Sequence, residues 1–337
     1  RAKFLLAPGE LWKNAASPLL ERTHPEYPLL VSGFVARTWR LGGALSPAAP
    51  LATGYLFAAA VLALTVAVPA MSRGTAAGLL ALLVLFASTS YCEQISWQYA
   101  DLPLSFYFLA TFGCLVLGVF PTGRPRAVAY ALAGLFAGFA ALTKNEGSAF
   151  LGLTSFVLAA LLGRNLGAHE AWQQLRWWLA GALPGLALLA DFRLFLAPPV
   201  KLLGDQTWRE ILDKLADPGR FLAVGRALIA ETAALGDGWS HPLILLGLLA
   251  AVLRFEWDGR LRLAIGLASA TLAGMLLIYA AVYLISPDDL AWLLGTSLGR
   301  LYAHLWPSFL LLAFLVLGRP ADPAPGEQAL RRKKKAR

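Results

Sequence analysis

Residues 263–285 read LAIGLASATLAGMLLIYAAVYLI, a run without one charged side chain. As a helix rising ~1.5 Å per residue, it is long enough to cross a hydrocarbon core of ~30 Å. Its apolar residues cover every side rather than one stripe, as expected of a helix surrounded by lipid and other helices. Similar runs occupy 50–70, 75–91, 103–120, 127–143, 147–163, 177–196, 240–254 and 301–318. The sequence therefore predicts about nine membrane-spanning segments. Lipid offers the backbone no hydrogen bonds, so each segment must satisfy its own amides, and the fold class is an all-α polytopic transmembrane bundle. Gly134, Gly138, Gly181 and Gly185 would let such helices approach closely.

Composition agrees. Hydrophobic residues make up 58% of the chain and charged residues 15%, against about 25% charged in soluble domains, so little chain remains for a soluble domain. The net charge of +9 could suggest nucleic acid, but its distribution does not. It gathers in the terminal run Arg331–Lys335 with Arg337, and in short loops between apolar runs. That is the footprint of membrane topology and anionic lipid, so membrane lipids rather than nucleic acid are the expected partners. Cys92 and Cys114 form no CxxC pattern, and neither a disulfide nor a zinc site is indicated.

The loop charges set an orientation. Arg73, Arg124, Arg126, Arg164, Arg176, Arg254, Arg260, Arg262, Arg319 and the tail fall on one side, and the short loops opposite hold only Lys144 and Arg300. The positive-inside rule puts the first set, including a basic tail over 319–337, in the cytoplasm. Segments around Asp101, Lys144 and Arg300 then face outside. So do residues 197–239, where charges alternate with Trp208, Ile211, Leu212, Leu215, Phe221 and Leu222, the pattern of an amphipathic helix lying on the membrane surface. Residues 1–49 read as the end of an outer loop plus a juxtamembrane helix, because the apolar stretch 27–36 is short and is followed by Arg37 and Arg40.

Ionisable groups at the membrane edge are costly to bury and are functional candidates for that reason. Four outer stretches hold them: HPEYPLL from His24, YADLPLSF from Tyr99, TKNEG from Thr143, and TSLGRLYAH from Thr296. Asp101 before Pro103 reads either as a helix N-cap or as an acid fixed at the membrane edge. Lys144 and Glu146 are either a solvated turn or a cation and an acid at the mouth of the bundle. Arg300, on the side where positive charge is disfavoured, suggests an anion, for example a phosphate. Tyr99, Tyr302 and His304 accompany them. His24 and Glu26 could ligate a divalent metal, although two donors do not make a site.

These segments, in this order, resemble the GT-C superfamily of membrane glycosyltransferases, in the branch of protein O-mannosyltransferases and the lipid A aminoarabinose transferase. HPEYPLL is similar to the Pro-rich end of that branch's first outer loop. YADLPLSF is similar to the Asp-before-Pro-Leu motif of its second, and LTKNEG to its next outer turn. The resemblance covers most of 15–318. It implies transfer of a sugar from a polyprenyl-phosphate donor to a hydroxyl of a lipid, glycan or protein acceptor, at the outer face of a bacterial inner membrane. Lys144 and Arg300 would bind the donor phosphate. Asp101 would orient the acceptor, or hold a metal with His24 or Glu26, while Glu146, Tyr99, Tyr302 and His304 serve as accessory groups. The family's catalytic acid lies early in the first outer loop, and RAKFLLAPGELW resembles the stretch on its C-terminal side. The general base is thus expected upstream of Arg1, with Glu10 a poor internal substitute. Two other classes compete. A transporter or lipid flippase would carry its ionisable residues at mid-membrane, often in repeats, and a scaffold would use the same residues as caps and turns. The placement of the candidates at the outer edge favours the enzyme.

Overall fold

A computed structural model describes residues 1–119, 126–199, 204, 206–253 and 255–318. The basic tail 319–337, with Arg124 and Arg254, lies outside the described residues. After short 3-10 turns within Phe4–Thr23, the helices are α1 (Leu30–Gly42), α2 (Ala48–Arg73), α3 (Thr75–Phe86), α4 (Thr89–Ser96), α5 (Asp101–Leu117), α6 (Arg126–Ala141), α7 (Asn145–Asn165), α8 (Ala168–Phe195), α9 (Trp208–Leu215), α10 (Pro218–Ala233), α11 (Pro242–Leu253), α12 (Arg262–Ile285) and α13 (Leu290–Val316).

The all-α bundle is as expected, but the span count of about nine is not shown. Among the described residues five segments are long and apolar enough to cross a membrane: α2, α7, α8, α13 and Gly259–Ile285. The run 75–91 is not one helix. It breaks between α3 and α4 with a 77° bend, and the bent pair gives a sixth candidate if it counts as one span. The helices α5, α6 and α11 are apolar but shorter. Hydropathy alone overestimates length here, because an apolar run is continuous where the helix inside it is not.

The centre of the bundle is α5, buried at almost every position from Asp101 to Val116 and packed by α2, α6 and α13. A helix enclosed by protein is apolar all round, like one enclosed by lipid, and this explains its unbroken run. The helices α6 and α8 meet along the glycines seen in the sequence. A Cβ on Gly134 would lie 2.0 Å from the Trp178 carbonyl oxygen, and one on Gly181 would lie 1.8 Å from that of Ala131. Neither position admits a side chain, so the two backbones touch.

Buried Arg73 fastens the opposite end. Its Nε donates to the Leu315 carbonyl at 3.2 Å, and its Nη2 to the Glu256 carbonyl at 2.8 Å. Its Nη1 pairs with Glu256 Oε1 at 3.1 Å. One guanidinium thus joins the ends of α2 and α13, satisfying carbonyls that a helix terminus leaves free.

Among the described residues the segment 197–239 forms two α-helices, α9 and α10, rather than one. A capping box of Thr207 and Glu210 starts α9, and Asp217 caps α10. Ile211 and Val224 face inward, while Trp208, Leu212, Leu215, Phe221, Leu222 and Ile229 are exposed. Two of its cations dock the pair onto the C-terminus of α12. Arg220 donates to the Tyr283 and Leu284 carbonyls at 2.9 and 3.1 Å, and Lys214 to that of Ser286 at 2.9 Å. Cations are favoured there by the unsatisfied carbonyls and the helix dipole.

Candidate functional site

The starts of α5 and α7 and the middle of α13 bring three of the sequence motifs together. Asp101 opens α5, Lys144 caps α7 through its backbone, and Arg300 and His304 lie one turn apart on α13. The i, i+4 spacing puts the last two on one helical face, and both reach the same carboxylate. Lys144 Nζ donates to Asp101 Oδ1 at 2.7 Å, His304 Nε2 to the same oxygen at 2.5 Å, and Arg300 Nε to Oδ2 at 2.9 Å. Asp101 is 1% exposed.

The N-cap reading of Asp101 fails. Asp101 is the first residue inside α5, Ala100 occupies the cap, and no side chain caps the helix. A buried carboxylate needs donors and charge compensation, and here both come from residues distant in sequence. The solvated-turn reading of Lys144 fails as well, since Lys144 is 2% exposed. Its ammonium also pairs with Glu146 Oε1 at 3.0 Å and lies 5.4 Å above the Tyr27 ring. Burial by itself pushes the Lys144 ammonium down, while Glu146 and Asp101 push it up, and the net effect lies above its ordinary value.

Arg300 differs from Lys144 in access. Its side chain is 25% exposed against 2% for Lys144. Among the described residues its hydrogen bond is made by Nε alone, which leaves the Nη amino groups unengaged. Its guanidinium stacks 4.7 Å above the ring of Tyr99, from the motif that supplies Asp101. The arrangement is a partly exposed cation bonded to a buried carboxylate and set against an aromatic ring. A planar guanidinium so held suits the oxygens of a phosphate.

His304 is wholly buried and has a partner at each nitrogen, Asp101 at Nε2 and the Tyr279 hydroxyl at Nδ1, 3.2 Å away. Tyr302 does not join the cluster. Its hydroxyl lies 2.9 Å from Thr232 Oγ1 and donates to the Leu228 carbonyl at 2.9 Å, bracing α10 against α13. His24 and Glu26 pair with each other at 3.1 Å. Burial raises the Glu26 carboxyl and the His24 hydrogen bond lowers it, leaving it below its ordinary value. Their stretch reaches the cluster through Tyr27, which stacks on His24 with ring centroids 4.7 Å apart. Glu10 is 78% exposed and pairs with Lys13.

Among the described residues no three His, Cys, Asp or Glu side chains group as ligands. Asp101 faces Lys144 and Arg300, whose charges oppose a cation.

Sequence reading missed Tyr27, Tyr279 and Gln94, whose Nε2 donates to the Gly299 carbonyl at 2.9 Å beside Arg300. Tyr279 lies inside an apolar run, and only its hydroxyl could have drawn notice.

Two solved structures share this architecture. ArnT from Cupriavidus metallidurans bound to undecaprenyl phosphate matches with a TM-score of 0.55 and 17% identity, covering 92% of this chain. The apo state of the same protein matches with a TM-score of 0.54 and 18% identity. The chain has the fold of ArnT. It spans 53% of the ArnT chain, about half its length. At this identity the likeness to ArnT is one of fold. No protein-family model matches the sequence, and no curated protein matches it.

Proposed function

We propose that this protein is a membrane glycosyltransferase that moves a sugar from a polyprenyl-phosphate donor to an acceptor hydroxyl at the outer face of the membrane. One observation carries the reading: a guanidinium, Arg300, is anchored to a buried carboxylate and left partly exposed, within a fold like that of a protein solved with undecaprenyl phosphate bound. In the reaction the acceptor oxygen attacks the anomeric carbon, and the bond from that carbon to the phosphate oxygen breaks. The electron pair leaves with the lipid phosphate. Its growing charge is what a fixed cation stabilises most.

The residues divide the work. Arg300 meets the phosphate. Lys144, behind Asp101, adds positive charge without direct access. Asp101 holds both cations and His304 in place. Tyr99 supports Arg300, Glu146 balances Lys144, and Tyr302 braces α10 over the site. The acceptor hydroxyl needs a proton acceptor. If α5, α6 and α11 each count as a span, and α3 with α4 as another, the bundle crosses the membrane nine times. Residues 1–49 and the α9–α10 pair then lie at the outer surface of a bacterial inner membrane, and the basic tail lies in the cytoplasm.

The test is transfer of radiolabelled sugar from a polyprenyl-phosphate donor by the intact protein in nanodiscs, followed as label leaving the donor for a hydroxyl-bearing lipid, glycan or peptide. Label that stays on the donor with every acceptor class rejects the reading. Counterflow of the intact donor across the bilayer without bond cleavage selects the flippase instead.

A further inference from the structure

The cluster holds a second layer. His304 sits between Asp101 and Tyr279, fully buried, with Phe108 and Tyr279 meeting its ring edge-on at 6.4 and 6.2 Å. Nε2, 2.5 Å from a carboxylate oxygen, carries a proton. A neutral imidazole then has an acceptor lone pair at Nδ1, and the group facing it is the Tyr279 hydroxyl at 3.2 Å. Tyr279 is 4% exposed and projects from α12, an element that contributes no charged group to the cluster.

We propose that Tyr279 is a positioning residue for transfer: by donating its hydroxyl proton to Nδ1 it keeps His304 a neutral Nε2–H donor, which fixes Asp101 and through it the Arg300 guanidinium. The inference rests on the glycosyltransferase reading, and it extends the site to α12. The tautomer matters because the other neutral form would aim a lone pair at Asp101 Oδ1. An imidazolium would compete with Lys144 and Arg300 for the same carboxylate. Either change loosens the cation that faces the phosphate. The charged and titratable groups around His304 are Asp101 from α5, Lys144 and Glu146 from the start of α7, Arg300 from α13 and Tyr279 from α12.

The experiment pairs Tyr279→Phe with His304→Gln in the intact protein in nanodiscs. The Gln side chain offers an N–H to Asp101 with no tautomer to choose. Nitrogen-15 labelling of histidine, with the His304 signals identified by their loss in His304→Gln, reads the ring directly. The wild type should show one protonated and one bare ring nitrogen at pH 7, and Tyr279→Phe should change that pattern. With the sugar-loaded polyprenyl phosphate as substrate, Tyr279→Phe should raise the donor KM about tenfold and move kcat much less. In the His304→Gln background the same substitution should have no further effect. A protonated imidazolium in the wild type overturns the inference, and so does a Tyr279→Phe effect of equal size in both backgrounds. If the wild type transfers no sugar yet the nitrogen pattern still responds to Tyr279→Phe, the glycosyltransferase reading fails and the tautomer lock stands.

Discussion

Lys144 Nζ and Asp101 Oδ1, 43 residues apart in sequence, lie 2.7 Å from each other with neither side chain more than 2% exposed. Each charge is out of water and depends on the other. Removing one partner of such a pair typically costs ~3–5 kcal/mol, because the remaining charge is stranded. Asp101→Asn should therefore lose transfer and also lower thermal stability in detergent. Lys144→Met combined with Asp101→Asn should recover part of the lost stability, since Glu146 then loses its own partner, and none of the activity. A single Asp101→Asn variant with wild-type melting and wild-type transfer would show that the pair is incidental.

Arg300 binds Asp101 through Nε and rests on Tyr99, with its amino groups left over. Lysine cannot reproduce that division of labour, since one ammonium must choose between carboxylate and phosphate. Both Arg300→Ala and Arg300→Lys should weaken donor use by the ~1.5–3 kcal/mol of a charge-assisted hydrogen bond, about ten- to a hundred-fold. Steady-state kinetics with donor and acceptor varied separately checks this. A defect confined to the acceptor would move the phosphate site elsewhere.

Gly134 and Gly181 mark where α6 and α8 touch. A methyl group at Gly181 would come within 1.8 Å of a backbone oxygen, and backbone cannot step aside as a flexible side chain can. Overpacking usually costs ~1–3 kcal/mol, and Gly181→Ala should reach the top of that range. Gly152→Ala is the control, since its Cβ would meet nothing within 4 Å. Thermal unfolding of the two variants should separate them by several degrees.

Topology is open to direct labelling. With Cys92 and Cys114 replaced, a cysteine at exposed Trp97, near Asp101, should react with an impermeant maleimide from outside the cell. One at exposed Arg260, in the loop before α12, should react only after permeabilisation. The reverse pattern would put the candidate site in the cytoplasm and remove the basis for an outer-face transferase.

The sequence determined the class of molecule. Runs such as 263–285 cannot be stable as anything but helices in lipid, and the Lys and Arg bias of the loops arises from the same chemistry. It also supplied Asp101, Lys144, Arg300 and His304, because ionisable residues at the edges of apolar runs stand out against their surroundings. The glycines of the close α6–α8 contact were visible too, since glycine is the residue that lets backbones meet, but which helices they join was not. Other features depended on tertiary contacts. Asp101 looked like a helix cap, and only the approach of α7 and α13 showed that both its oxygens accept from distant residues. The run 75–91 looked like one span, and its bend after Phe86 is not encoded in hydropathy. Tyr279 gave no signal, because a tyrosine in an apolar stretch is ordinary until its partner is known, and Tyr27 lay within HPEYPLL without standing out from it. Local sequence fixes which groups are expensive to bury, and the packing of helices distant in the chain decides which partners make that burial possible.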